Sequence, residues 1–145
     1  MTTLRFALLL AASAMVAQTS PALAQEPAAS SLRWFDSFDQ DKDGVLTPAE
    51  VEATGSVEFF RIDADASGTL TIDEYLATNP DPDDVEIRKT RDRFEVMDRR
   101  GDGNELATPV EFINFGKFII EIADFNADGR LTRAEFIEGI TRPPQ

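Results

Sequence analysis

Oxygen-bearing side chains recur in this chain at one fixed spacing. Asp39, Asp41 and Asp43 alternate ahead of Gly44, and Glu50 follows. Asp63, Asp65 and Ser67 stand in the same way before Gly68 and Glu74, and Asp124, Asn126 and Asp128 before Gly129 and Glu135. Each stretch has oxygen side chains at positions 1, 3 and 5, Gly at 6, Leu at 8 (Leu46, Leu70, Leu131), Thr at 9 and Glu at 12. Short side chains on alternate residues of a tight loop converge on one point, and Gly permits the bend that a side chain would strain. The residue at position 7 (Val45, Thr69, Arg130) is placed to turn its main-chain carbonyl inward, so its side-chain type is free. The final Glu can return both carboxylate oxygens. A set of about six to eight oxygens at about 2.3–2.6 Å is what calcium requires, and a bidentate Glu favours it over the smaller, octahedral magnesium. The expected ligands are therefore Asp39, Asp41, Asp43, Val45 and Glu50; Asp63, Asp65, Ser67, Thr69 and Glu74; and Asp124, Asn126, Asp128, Arg130 and Glu135, for three ions.

Composition narrows the alternatives. The 145 residues include no Cys and no His, which removes disulfides, thiolate zinc sites, cysteine nucleophiles and imidazole bases. With 27 acidic against 14 basic residues the net charge is −13, which repels phosphate and argues against nucleic acid as a partner. The hydrophobic share of 42% is still enough for a packed core.

The elements around the loops follow from apolar spacing. Phe35 and Phe38 precede the first loop, Phe59 and Ile62 the second, Ile120 and Ala123 the last; Val51, Tyr75 and Phe136 directly follow the three closing Glu residues. Apolar residues three apart on both sides describe short amphipathic helices whose Phe side chains belong to the core. Pro48 suits the first turn of the helix that leaves loop 1. Between Glu50 and Asp63 the sequence is read as an exiting helix, a turn at Thr54-Gly55 and an entering helix. Val85–Met97 is read as the longest helix, after an Asn79–Asp84 connector.

A fourth stretch repeats the framework with a difference. Phe94 and Met97 precede Asp98, and Thr108-Pro109-Val110-Glu111 echoes Thr47-Pro48-Ala49-Glu50, but the span from Asp98 to Glu111 is two residues longer than its siblings. Counted forward from Asp98, Arg100 falls at position 3, a cation where a ligand belongs. This loop is read as a degenerate structural partner, against the alternative of a distorted calcium site built on Asp98, Asp102 and Glu111.

On these motifs the chain resembles the EF-hand superfamily, in particular its small secreted bacterial members, over about residues 32–140. The resemblance implies an all-α fold of four EF-hand helix–loop–helix units paired through short β-bridges, with Val45–Thr47 against Thr69–Thr71. Sequential neighbours usually pack, so loops 1 and 2 are expected to pair, and loops 3 and 4; pairing of 2 with 3 and 1 with 4 is the alternative. The corresponding organisation is a first pair at 32–78, a linker at 79–84 and a second pair at 85–140, followed by a tail at 141–145.

Residues 1–24 carry one charge, Arg5, then an apolar run from Phe6 to Ala17, a polar break and Ala22-Leu23-Ala24. That is the pattern of a cleaved secretory leader, the apolar run being too short to span a bilayer. Cleavage after Ala24 would leave a lead-in at 25–31 and remove Arg5, deepening the charge to −14. A periplasmic or secreted calcium-binding protein is the leading expectation, with capture of the ion coupled to folding. The runner-up is a calcium-dependent interaction module or sensor that docks an envelope or secreted protein. An enzyme is not expected, because every matched pair of carboxylates is already used by the loop pattern.

Overall fold

In the computed structural model of the chain, residues 29–141 are described; the expected leader and cleavage point, most of the expected lead-in and most of the tail lie outside them. Six helices and two two-residue strands follow one another: α1 (Ala29–Phe38), β1 (Val45–Leu46), α2 (Pro48–Ile62), α3 (Ile72–Leu76), α4 (Asp84–Arg100), α5 (Pro109–Ala123), β2 (Leu131–Thr132) and α6 (Arg133–Thr141). The fold is all-α, as expected. Among the described residues no helix is long and apolar enough to cross a membrane.

The helices that leave the loops start where the sequence dictates. Thr47, Thr71 and Thr108 each cap a helix, accepting from the N–H of the Glu three residues on, while that Glu accepts from the Thr N–H. Such reciprocal capping satisfies two backbone donors that a helix start otherwise leaves unpaired. Pro48 and Pro109 occupy the first helical turn, where a missing N–H costs nothing. Asp83 caps α4 through Val85 and Glu86, one residue ahead of the expected start, and α4 runs on past Met97 to Arg100.

Two expectations are corrected here, and one cause accounts for both. No turn forms at Thr54-Gly55: α2 runs unbroken through both residues, and both are buried. Gly55 lies against α5, where a Cβ would come within 2.6 Å of Ile113 Cγ1. Its lack of a side chain serves close helix approach, and its φ is not positive. Gly116 does the same on α5, where a Cβ would meet Val51 Cγ1 at 2.7 Å. One helix of 15 residues between loops 1 and 2 holds them about 22 Å apart, at its two ends. They therefore do not pair with each other. Instead β1 pairs antiparallel with β2, Val45 opposite Thr132 and Leu46 opposite Leu131, and Leu70 bridges Ala107. Loops 1 and 4 meet at one end of the crossed pair α2 and α5, loops 2 and 3 at the other. The favoured pairing of 1 with 2 and 3 with 4 gives way to the alternative.

A single core runs between both ends. Phe35, Phe38, Val51, Phe59, Tyr75, Phe94, Met97, Ile120, Ala123 and Phe136, singled out by their spacing, are all buried. Aromatic contacts join the first and last units, with ring centroids of Trp34 and Phe136 5.5 Å apart and of Phe35 and Phe136 5.3 Å apart. Phe112 links both sides of the crossing, 6.1 Å from Phe38 and 6.0 Å from Phe59. Ion pairs on the rim tie Lys117 to Glu52 across α5 and α2 at 2.7 Å, and Arg133 to Asp36.

Candidate metal centre

Loops 1, 2 and 4 share one backbone course. Lys42, Ala66 and Ala127 at position 4, and Gly44, Gly68 and Gly129 at position 6, all have positive φ. The first carboxylate of each loop accepts from the glycine N–H: Asp39 Oδ2 from Gly44 at 3.0 Å, Asp63 Oδ2 from Gly68 at 2.9 Å, Asp124 Oδ2 from Gly129 at 2.7 Å. Side chains at positions 3 and 5 accept from N–H groups two residues ahead, as Asp41 does from Asp43, Asp43 from Val45, and Asn126 from Asp128. These bonds hold the side chains turned into the loop. In loop 2 the Ser67 hydroxyl donates to the Thr69 carbonyl at 2.9 Å, bringing the expected position 5 and position 7 oxygens together.

Among the described residues, carboxylate oxygens converge to within 4.8 Å of one another in three groups: Asp39, Asp41 and Asp43; Asp63, Asp65 and Glu74; and Asp98, Asp102 and Glu111. Loops 1, 2 and 3 supply them, and loop 4 supplies none. The difference follows burial and residue type. Asp39, Asp63 and Asp98 are buried, whereas Asp124 is half-buried. Position 3 of loop 4 is the neutral Asn126, and the Asp128 carboxylate has the Arg130 guanidinium 3.8 Å away.

Loop 3 is in a different register from the one that counting forward from Asp98 gives. Helix α4 continues through Arg99 and Arg100, so the two extra residues are its last turn. Arg100 lies over the Phe118 ring, 3.7 Å from the centroid. Positive φ falls on Gly103 and Glu105, the places of Lys42 and Gly44 in loop 1. Glu105 N–H donates to Asp98 at 3.1 Å, as Gly44 does to Asp39, and Leu106 N–H donates to Asn104 at 2.8 Å, as Val45 does to Asp43. Asp102 is thus the third position, Asn104 the fifth and Leu106 the seventh. Counting back from Thr108-Pro109-Val110-Glu111 finds this register in the sequence; counting forward misses Asn104 and Leu106.

The closing Glu residues divide their oxygens. In all four loops Oε2 is held by the Thr at position 9, through its N–H and its hydroxyl, at 2.7–3.0 Å. In loops 2 and 3 the other oxygen reaches back across the loop, Glu74 Oε1 accepting from Ala64 N–H and Glu111 Oε1 from Asp102 N–H, both at 3.0 Å. The Thr71 N–H and hydroxyl hold the Glu74 carboxyl below its ordinary value. The Thr132 hydroxyl and N–H do so for Glu135. At Glu111 burial pushes upward, but the Thr108 donors and the Asp102 N–H outweigh it. A carboxyl lowered in the folded state stabilises the fold above its unfolded value, and this is lost as pH falls through the folded value. In calcium-free protein, acid titration followed by circular dichroism is expected to show a loss of structure beginning below about pH 4.5, the ordinary value of these groups. The triple variant Thr71→Val, Thr108→Val, Thr132→Val, which removes three donors, is expected to show a shallower dependence.

One atom tests whether these residues suit a cation. Asp39 is 5% exposed, and its Oδ1 is the one buried side-chain oxygen among the described residues with no hydrogen-bond donor. A buried acceptor left unpaired costs about 1–3 kcal/mol, more when charged. The remaining ligand groups are carboxylates, the amides of Asn104 and Asn126, the Ser67 hydroxyl and carbonyls, an all-oxygen set that suits a hard ion and not zinc or copper. A cation among Asp39, Asp41 and Asp43 would satisfy Oδ1, and the residues fit it.

A family model described as EF hand matches residues 33–53, a span that holds loop 1 whole with the second half of α1 and the start of α2. Loops 2 and 4 repeat its course, loop 3 repeats it with a longer entering helix, and acidic groups gather in three of the four. Over residues 33–53 the chain matches the EF-hand family, and its acidic clusters stand in the loop positions where such units bind calcium.

Proposed function

We propose that the protein captures calcium at all four loops, in the periplasm or outside the cell, and that capture completes its folding. The observation that carries this reading is the donorless, buried Asp39 Oδ1 inside a loop whose other oxygens converge on the same point. Loops 1, 2 and 4 supply the full twelve-residue pattern. Loop 3 is included because the charge that argued against it, Arg100, is engaged with Phe118 instead of the loop. The secretory pattern of residues 1–24 supports the setting, where calcium is abundant and EF-hand modules bind it in the range of about 0.1–1 mM. Ion capture rather than catalysis is the role of the loop carboxylates, since the groups able to do acid–base work are those turned to the ion.

Calorimetric titration with calcium tests the reading, with about four ions per chain expected. Glu111→Gln, which removes a charge from loop 3 and keeps the Thr108 cap geometry, is expected to lower the stoichiometry by one. A wild-type value of three, unchanged in Glu111→Gln, would return loop 3 to a purely structural role. No heat and no retained ion after dialysis against dilute calcium chloride would refute calcium capture altogether.

A further inference from the structure

An apolar cavity opens between α1, α5 and α6. About 380 Å³ in volume, it is walled by Trp34 of α1, Phe115 and Ile119 of α5, and Phe136 and Ile140 of α6. Among the described residues its lining contains one charge, the Arg93 guanidinium from α4, beside the buried Ser31 hydroxyl, which accepts a long hydrogen bond from Arg93 Nη2 at 3.4 Å. The chain has nearly two acids for each base, yet among the described residues no carboxylate pairs with Arg93. A half-buried cation beside an apolar space is stabilised by an anion that can pair with it.

We propose that this cavity binds a small amphiphilic carboxylate, its apolar tail among Trp34, Phe115 and Phe136 and its carboxylate on Arg93. Size and charge fix the class. At about 30 Å³ per heavy atom, the share of one water molecule in the liquid, the cavity has room for about a dozen heavy atoms. A ten-carbon fatty acid has twelve. A partner helix, about 10 Å across with its side chains, cannot enter such a space and could insert only one or two side chains. A neutral apolar molecule would leave the Arg93 donors unused.

Decanoate is the probe, titrated into the purified protein in calcium-containing buffer. Trp34, the single tryptophan of the chain, lines the cavity and reports occupancy through its emission. A saturable change at one decanoate per chain is expected, with 1-decanol at least about tenfold weaker, since a hydrogen-bonded charge is worth that much. Arg93→Gln is expected to lose about tenfold or more in decanoate affinity and Arg93→Lys to recover most of it. Ile122→Glu, at a side chain 55% exposed that spares the core, sets a negative charge in the lining and is expected to weaken decanoate more than decanol. The proposal is overturned if Trp34 emission does not change, if decanol binds as tightly as decanoate, or if both Arg93→Gln and Ile122→Glu bind decanoate like the wild type. Calcium stoichiometry, measured separately, does not depend on any of these outcomes.

Discussion

Protein loaded with millimolar calcium is expected to melt at least about 12 °C above the same protein in EDTA, with a matching gain in helical circular dichroism. A ligand that binds only the folded state stabilises it by RT ln(1 + [L]/Kd). At about 5 mM calcium and dissociation constants of about 0.1–1 mM, each site contributes about 1–2 kcal/mol. Four sites give about 4–8 kcal/mol, and in a domain of this size each kcal/mol moves the midpoint by about 3–5 °C. The metal-free side of the balance is raised as well. Asp39, Asp41 and Asp43 have oxygens within 4.8 Å of one another, as do the groups of loops 2 and 3, and like charges at that distance repel. Magnesium at equal concentration is expected to give a smaller shift, because the closing Glu carboxylates favour the larger ion. Equal midpoints in calcium and EDTA would remove ion capture as a folding device. Loss of the shift on joint Glu50→Gln, Glu74→Gln, Glu111→Gln and Glu135→Gln substitution would place it in the loops.

Local chemistry was legible in the sequence, and long-range placement was not. The alternation of oxygens, the glycines at position 6 and the Thr–Glu caps each depend on residues within a dozen positions, so the loops and helix starts could be read directly. Whether Thr54-Gly55 breaks a helix depends on what stands opposite. In isolation Gly there weakens a helix by about 0.5–1 kcal/mol; against Ile113 it is the residue that admits the neighbouring helix. From that one difference comes the exchange of loop partners, since an unbroken α2 separates loops 1 and 2. Arg100 shows the same limit. Its type spoke against an ion site only while it was counted into the loop, and the end of α4, fixed by tertiary packing against Phe118, takes it out.

The crossing of α2 and α5 gives the second large effect. Gly116→Val is expected to destabilise the calcium-loaded protein by about 3 kcal/mol, lowering its melting midpoint by roughly 10 °C or more. Any Cβ at 116 stands 2.7 Å from Val51 Cγ1, and the stiff Val51 side chain sits fully buried in the core with little freedom to turn aside. Overpacking here pushes apart the two helices that carry all four loops at their ends, so calcium affinity is expected to fall together with stability. Val51→Ala alone opens a cavity and costs about 2 kcal/mol. Combined with Gly116→Val it makes room for the new side chain, and the double variant is expected to lose at least about 1 kcal/mol less than the sum of the two single changes. Had α2 turned at Thr54-Gly55 and loops 1 and 2 paired, Val51 and Gly116 would lie in separate halves and their effects would add. Thermal melts of the four proteins in one calcium buffer therefore decide between the two arrangements, additivity counting against the crossed one.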